Sequence, residues 1–133
     1  MLNQPSPQRL RTLALQKRSF ELSCNVVRAY PKERHFDDPS RIVWRQLIRA
    51  VTSSTLNLEE ADAASSEADF LSKMRIALRE AKETRVAIRL LTACRLAGSA
   101  EVGKYEDEAN QMASIFSAII QNKKANMKKN HRS

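Results

Sequence analysis

Glycine and proline are scarce, two and four in 133 residues, which removes most of the material for tight turns and disfavours a turn-rich sheet fold. Cysteine is nearly absent as well. Cys24 and Cys94 lie far apart, each inside a helical pattern, and read as two reduced, buried thiols rather than a disulfide or a metal site. Histidine is limited to His35 and His131, and neither has a Glu three residues earlier, so the Glu-x-x-His pairs of four-helix di-metal centres do not occur. There is no Gly-rich phosphate loop and no Cys/His cluster with metal spacing. Glu59 and Glu60 are adjacent, and adjacent helix positions point about 100° apart, so their carboxylates do not converge. The expectation is a chain without catalytic function, cofactor or metal. No stretch approaches the ~18 apolar residues of a membrane span, and Met1 to Arg11 lacks the apolar core of a signal peptide, so the expected location is the cytoplasm, with no membrane partner. Aromatics are 5% of the residues and Trp44 is the single Trp, which argues against a platform that stacks bases.

Charge is abundant and unevenly placed. The chain carries 23 Lys/Arg against 15 Asp/Glu, a net +8, with a sequence pI near 9.9. A field of that sign attracts polyanions. Residues 1–50 hold ten basic side chains against four acids, residues 51–69 none against five, residues 70–95 seven against two, and the last eleven residues five against none.

The length suits one domain, and at this size folding buries roughly two thirds of the surface the unfolded chain exposes. Four helical segments follow from periodicity. From about Leu10 to Tyr30, Leu13, Phe20 and Val27, with Leu10, Ala14 and Cys24 on a neighbouring row, recur at three, four and seven and predict a buried face; Pro31 closes the segment. In Asp37-Asp38-Pro39-Ser40, Asp is placed as N-cap and Pro39 at the first helical position, starting a helix that runs to about Ala61 with the seam Trp44, Leu47, Val51 and Leu58. After a small acidic link comes a third helix, from about Ala68 to Leu96, stopped by Gly98. A fourth, from Tyr105 to about Lys124, turns Met112, Ile115, Phe116, Ile119 and Ile120 inward. The fold expected is all-α, an up-and-down four-helix bundle over residues 10–124, with a flexible N-terminus (1–9) and a basic flexible tail (125–133).

Three basic elements are candidates for binding nucleic acid. On the third helix Arg75, Arg79, Lys82, Arg85 and Arg89 fall within about 120° of arc, opposite Ile76, Ala77, Ala81, Ala87, Ile88 and Leu91. Such a rail is either a solvated face that covers apolar surface or a stripe that tracks phosphates. Arg41, Arg45 and Arg49 form a second stripe, and Lys123 and Lys124 at the end of the fourth helix continue into Lys128 and Lys129 of the tail. Leu78, Val86 and Leu90 fall among the rail positions. They are either scattered exposed side chains or a second packing surface, most simply a homo-oligomer contact. Binding by these elements is expected to be directed at the backbone, RNA or DNA alike; the competing class is a scaffold whose positive charge serves an acidic protein.

Helices two and three also carry a motif. Gln46-Leu47, Arg49-Ala50, Ser53, Asn57 and Glu60 read Q-L-x-R-A-x-x-S-x-x-x-N-x-x-E, followed by the run Ala68-Asp69-Phe70-Leu71-Ser72-Lys73-Met74-Arg75-Ile76-Ala77-Leu78 and, beyond it, Glu80, Glu83 and Thr84. Gln46, Arg49, Ser53, Asn57, Glu60, Glu80 and Glu83 together suggest an interhelical polar network that fixes register, with a binding site or solvent-facing side chains as alternatives. The motif resembles the four helix bundle protein family, the proteins encoded in intervening sequences of bacterial 23S rRNA genes. That family includes the accessory variability determinants of diversity-generating retroelements. The likeness spans about Ser19 to Leu96 for the motif and nearly the whole chain for helix count. Ala61 stands where many relatives have Gly, and Ser54-Thr55 where they have an Ile-Pro or Ile-Gly step. The resemblance implies a homopentameric barrel of bundles with a basic surface. Members of the retroelement branch associate with a reverse transcriptase and with nucleic acid; helix three here looks closer to the rRNA branch.

Overall fold

A computed structural model describes residues 3–32 and 37–131. Its helices are α1 (Pro7–Ala29), α2 (Asp38–Asp62), α3 (Glu67–Ala93), the single turn α4 (Ser99–Val102) leading into a 3-10 turn (Gly103–Tyr105), and α5 (Glu106–His131). There is no strand among the described residues. Side-chain caps define three of the starts. Ser6 Oγ accepts from the Arg9 N–H at 3.0 Å, the Asp37 carboxylate from the Ser40 N–H at 2.9 Å, and Ser66 Oγ from the Asp69 N–H at 3.0 Å. Each satisfies a backbone donor that the first turn leaves open. The α2 cap is Asp37, so Asp38 is its first helical residue and Pro39 follows it.

The long helices run antiparallel in chain order around one core. Arg9 of α1 reaches Asp62 at the end of α2 and Ser19 meets Thr55; Glu60 of α2 meets Lys73 near the start of α3; Glu67 of α3 meets Lys123 near the end of α5. An all-α four-helix bundle results. Its interior is the expected seam of α2, Trp44, Leu47, Val51 and Leu58, packed with Met74, Ala77, Ile88 and Leu91 of α3 and Met112, Phe116 and Ile120 of α5. Ile115 and Ile119 are partly buried beside it.

Helix α1 departs from its expected orientation. Leu10, Leu13, Phe20 and Val27 are 54%, 41%, 60% and 46% exposed, Ala14 faces out, and Cys24 is half-buried. The buried face is instead Gln16, Ser19, Leu22, Ser23 and Val26. The physical reason is hydroxyl pairing. Thr55 Oγ1 lies 2.9 Å from Ser19 Oγ and 2.6 Å from Ser23 Oγ and donates to the Ser19 carbonyl at 3.0 Å, while Ser23 Oγ donates to the Val51 carbonyl at 3.0 Å. Satisfied hydroxyls cost little to bury, so the small polar row allows α1 to approach α2 closely.

The ends of α3 and α5 also differ from expectation. α3 ends at Ala93, with Arg95 taking a left-handed turn at φ 51° and Leu96 N–H donating to the Leu91 carbonyl at 2.9 Å. Gly98, at φ 75°, does not stop α3 but begins α4. Cys94, expected buried, is exposed because the helix ends there; both thiols are free. At its C-terminus α5 continues past Lys124 to His131. Ala125, Met127, Lys128 and Lys129 are good helix formers with no breaker among them, and cations in a last turn suit the helix dipole. At the other end α1 begins at Pro7, inside the segment expected to be flexible. His35 lies outside the described residues, as do the extreme termini.

Trp44 is 0% exposed and its Nε1–H donates to the Ala97 carbonyl at 2.7 Å. Trp44→Ala is expected to cost roughly 3–5 kcal/mol in urea unfolding, and native Trp fluorescence to be blue-shifted. A Cβ at Gly98 would lie 2.8 Å from the Trp44 ring and 2.9 Å from Pro31 Cγ, so Gly98→Ala should also destabilise, by more than about 1 kcal/mol. A red, solvated emission or a neutral Gly98→Ala would contradict this packing.

Candidate nucleic-acid interface

The rail of α3 keeps its predicted line. Arg75, Arg79, Lys82 and Arg89 are exposed, and Arg85 is half-buried at the edge toward α5, where its Nη1–H donates to Asn110 Oδ1 at 3.0 Å. From Arg75 to Arg89 a helix rises roughly 21 Å. Opposite the rail, Ala77, Ala81, Ala87, Ile88 and Leu91 are buried and Ile76 is half-buried. Leu78 packs against the core from its half-buried position, whereas Val86 and Leu90, 45% and 46% exposed, stand among the cations. The rail is thus a mixed stripe with apolar side chains between charges.

The other basic groups fall at the two ends of the bundle. Arg41 and Arg45 are exposed near the start of α2, where Ser40 Oγ accepts from the Ala97 N–H at 3.0 Å beyond the end of α3. Lys124, Lys128 and Lys129 are exposed on the far turns of α5, next to the start of α3, while Lys123 is held between Glu67 at 3.6 Å and the Phe70 ring at 5.6 Å. The rail on α3 connects these ends. Elsewhere, two arginines are held by ion pairs. Arg9 bonds both Asp62 oxygens at 2.7 Å, which raises its pKa and holds the Asp62 carboxyl below its usual range. Arg18 is raised by its bonds to Glu108, at 2.7 Å and 3.2 Å.

The polar motif does not bridge α2 and α3 as expected. Arg49 Nη2–H donates to Gln46 Oε1 at 3.3 Å, Asn57 Nδ2–H donates to the Ser53 carbonyl at 2.9 Å, and Thr84 Oγ1 donates to the Glu80 carbonyl at 2.8 Å, each within one helix. Glu60 to Lys73, at 3.2 Å, is its interhelical contact. Glu83 is exposed. Spacing by four lets such residues satisfy one another along a helix instead of across a gap. The joints between helices are built from residues the motif omits: Ser19, Ser23 and Thr55, the Ser54 hydroxyl on the Ala77 carbonyl at 2.9 Å, and the Trp44 and Ser40 bonds to Ala97. Gln16, Ser19 and Ser23 at three and four on one face were the available signal.

Among the described residues no three His, Cys, Asp or Glu side chains gather as metal ligands, and no helix is long and apolar enough to cross a membrane. The family model for the 23S rRNA-intervening sequence protein matches residues 11–118, which include the motif, the rail and the first half of α5. The chain belongs to the 23S rRNA-intervening sequence protein family. A solved structure, described as a protein of unknown function from the S23 ribosomal protein family of Bacteroides thetaiotaomicron, superposes with a TM-score of 0.71 at 25% identity, covering 83% of this chain and 97% of that one. No curated protein matches. The matched span takes in the α2–α3 motif, and the likeness to the solved structure agrees with the all-α fold.

Glu80 is the one acid buried in this part of α3, 5% exposed, with Oε2 lacking a partner. Burial first, then its bond to and repulsion by Glu83, push its pKa up; Arg79, at 3.5 Å, opposes this. A raised carboxyl keeps its proton longer in the folded state, so its presence erodes stability as pH rises from the unfolded value near 4.5. Glu80→Gln should therefore gain on the native chain, by on the order of 1 kcal/mol, between pH 4 and pH 7 in urea unfolding. A difference that does not change with pH would contradict the raised pKa.

Proposed function

We propose that this member of the 23S rRNA-intervening sequence family is a non-catalytic, cytoplasmic, homo-oligomeric accessory factor that binds nucleic acid, RNA or DNA, through its phosphate backbone. The observation that carries the proposal is the α3 rail, with Arg75, Arg79, Lys82 and Arg89 exposed along one rigid helix. Aligned cations repel one another unless an anion lies along them, and a polyanion also releases condensed counterions when it binds. A homopentamer, and a reverse transcriptase or other ribonucleoprotein as larger partner, are what the family resemblance adds.

Self-association has its own support on α1. Leu10, Leu13, Lys17, Phe20, Cys24 and Val27 alternate at three and four, the a/d spacing of a helix seam, and Leu10, Leu13, Phe20 and Val27 are all exposed in the single chain. Water-exposed apolar side chains in that register are suited to a helix from another copy. One observation favours the second reading, a scaffold for an acidic protein: Val86 and Leu90 interleave with the rail and offer apolar contact that a phosphate backbone does not use.

Fluorescence anisotropy with labelled single-stranded RNA and DNA tests the main reading. Affinity should fall log-linearly with salt, and changing Arg75, Arg79, Lys82 and Arg89 to Gln should reduce the slope by about 3, at roughly 0.7–0.9 for each lost phosphate contact. Changing Lys124, Lys128 and Lys129 to Ala should reduce it by about 2. A shallow slope with no competition by RNA supports the scaffold instead, and lost assembly with unchanged binding makes the rail architectural. For the oligomer, light scattering on Phe20→Asp should give a smaller mass than the native chain with helicity retained; equal masses would rule out the α1 seam.

A further inference from the structure

A groove of about 460 Å³ runs between α3 and α5, lined by Lys82 and Arg85 on one side and Asn110, Ser114, Ser117 and Gln121 on the other. We infer that this groove seats one phosphodiester group of a nucleic-acid backbone, held by Lys82 and Arg85; the inference rests on the nucleic-acid reading above and gives it a discrete contact point.

The composition of the walls selects the ligand. Both charged side chains in the lining are cations and no acid is among them, so the local field favours an anion. Ser114, Ser117 and the Gln121 amide supply neutral donors suited to oxyanion oxygens. The lining contains no aromatic ring, so nothing there stacks a base, and its apolar contribution comes from small alanines, so a lipophilic ligand would find little to cover. The volume exceeds what one phosphate group fills, which leaves space for the sugar on either side. That points to a phosphate within a chain rather than a nucleobase.

Arg85 adds an independent observation. One Nη1–H bonds Asn110, yet Nε is sealed from solvent with no acceptor, which is costly for a charged guanidinium. An oxyanion in the groove is an acceptor for this guanidinium once the side chain turns to bring Nε–H into the groove. Lys82, by contrast, is exposed at the mouth and needs no rearrangement. The groove is therefore a shoulder of the rail, where a backbone laid along Arg75, Arg79 and Arg89 dips toward α5.

The test separates occupancy of the groove from general attraction by charge. Ser117→Leu and, at an exposed position, Ala118→Leu fill the groove without altering any charge. Each should weaken binding of a labelled single-stranded oligonucleotide on the order of tenfold and reduce the salt slope by about 0.7. In the ¹⁵N-labelled full chain, the Arg85 Nε–H signal, assigned with Arg85→Gln, should shift on titration with a dinucleoside monophosphate and stay unmoved with the nucleoside alone. Native slope and affinity in both filled variants, with circular dichroism unchanged, overturn the seat while leaving the rail reading in place. If the native chain binds no oligonucleotide, the nucleic-acid reading and the seat fall together. A changed mass by light scattering for either variant assigns the groove to contact between copies, which also overturns the proposal. Should Ser117→Leu fail to fold, Ala118→Leu and the Arg85 signal decide.

Discussion

The bundle is closed at one end by a single indole. Trp44 donates to the Ala97 carbonyl from the start of α2, meets Tyr30 edge-on with ring centroids 5.5 Å apart, and leaves room for Gly98 and Pro31 only because Gly98 has no Cβ. Ser40, one turn earlier, accepts from the Ala97 N–H while its hydroxyl donates to the α2 cap, Asp37. One residue of the loop after α3 is therefore bonded through both its N–H and its C=O to α2. That loop sets where α4 and α5 begin. The opposition of α5 to α3 that forms the groove follows from it.

How legible the fold was from sequence depended on which force placed each helix. α2, α3 and α5 are positioned by large apolar side chains, and periodicity located Trp44, Leu47, Val51, Leu58, Met112, Phe116 and Ile120 correctly. α1 is positioned by hydroxyls, and the same reasoning turned an adjoining face inward. An apolar count assigns Phe20 to the core and Ser19 and Ser23 to solvent, whereas the pairing with Thr55 and Val51 reverses both. The seam of three and four along α1 is a real feature of the sequence, and among the described residues its Leu10, Leu13, Phe20 and Val27 stay exposed.

The rail was legible because charge on a helix surface needs only the 100° step to be placed. The polar motif was not, because residues four apart have two ways to be satisfied, along the helix or across to a neighbour, and spacing does not choose between them. Ser53 with Asn57 and Gln46 with Arg49 are satisfied locally. The groove had no sequence signal at all, since it follows from small side chains on α5 lying opposite long ones on α3, a matter of register between helices.

Charge segregation acquires a physical meaning once the ion pairs are known. Lys73 meets Glu60, Arg9 meets Asp62 and Lys123 meets Glu67, so three of the five acids around the link between α2 and α3 are matched by cations from α3, α1 and α5. Arg18 takes Glu108 at the start of α5. These pairs are partly solvent-exposed and contribute little each to stability, about 0–1 kcal/mol, but they do use up acids that would otherwise temper the field. On the middle of α3 the acids are Glu80, largely buried and pushed toward its neutral form, and Glu83. The excess of positive charge is thereby concentrated on the rail. A chain with the same net +8 but evenly mixed charge would have no such line, and its attraction for a polyanion would lack a preferred path across the surface.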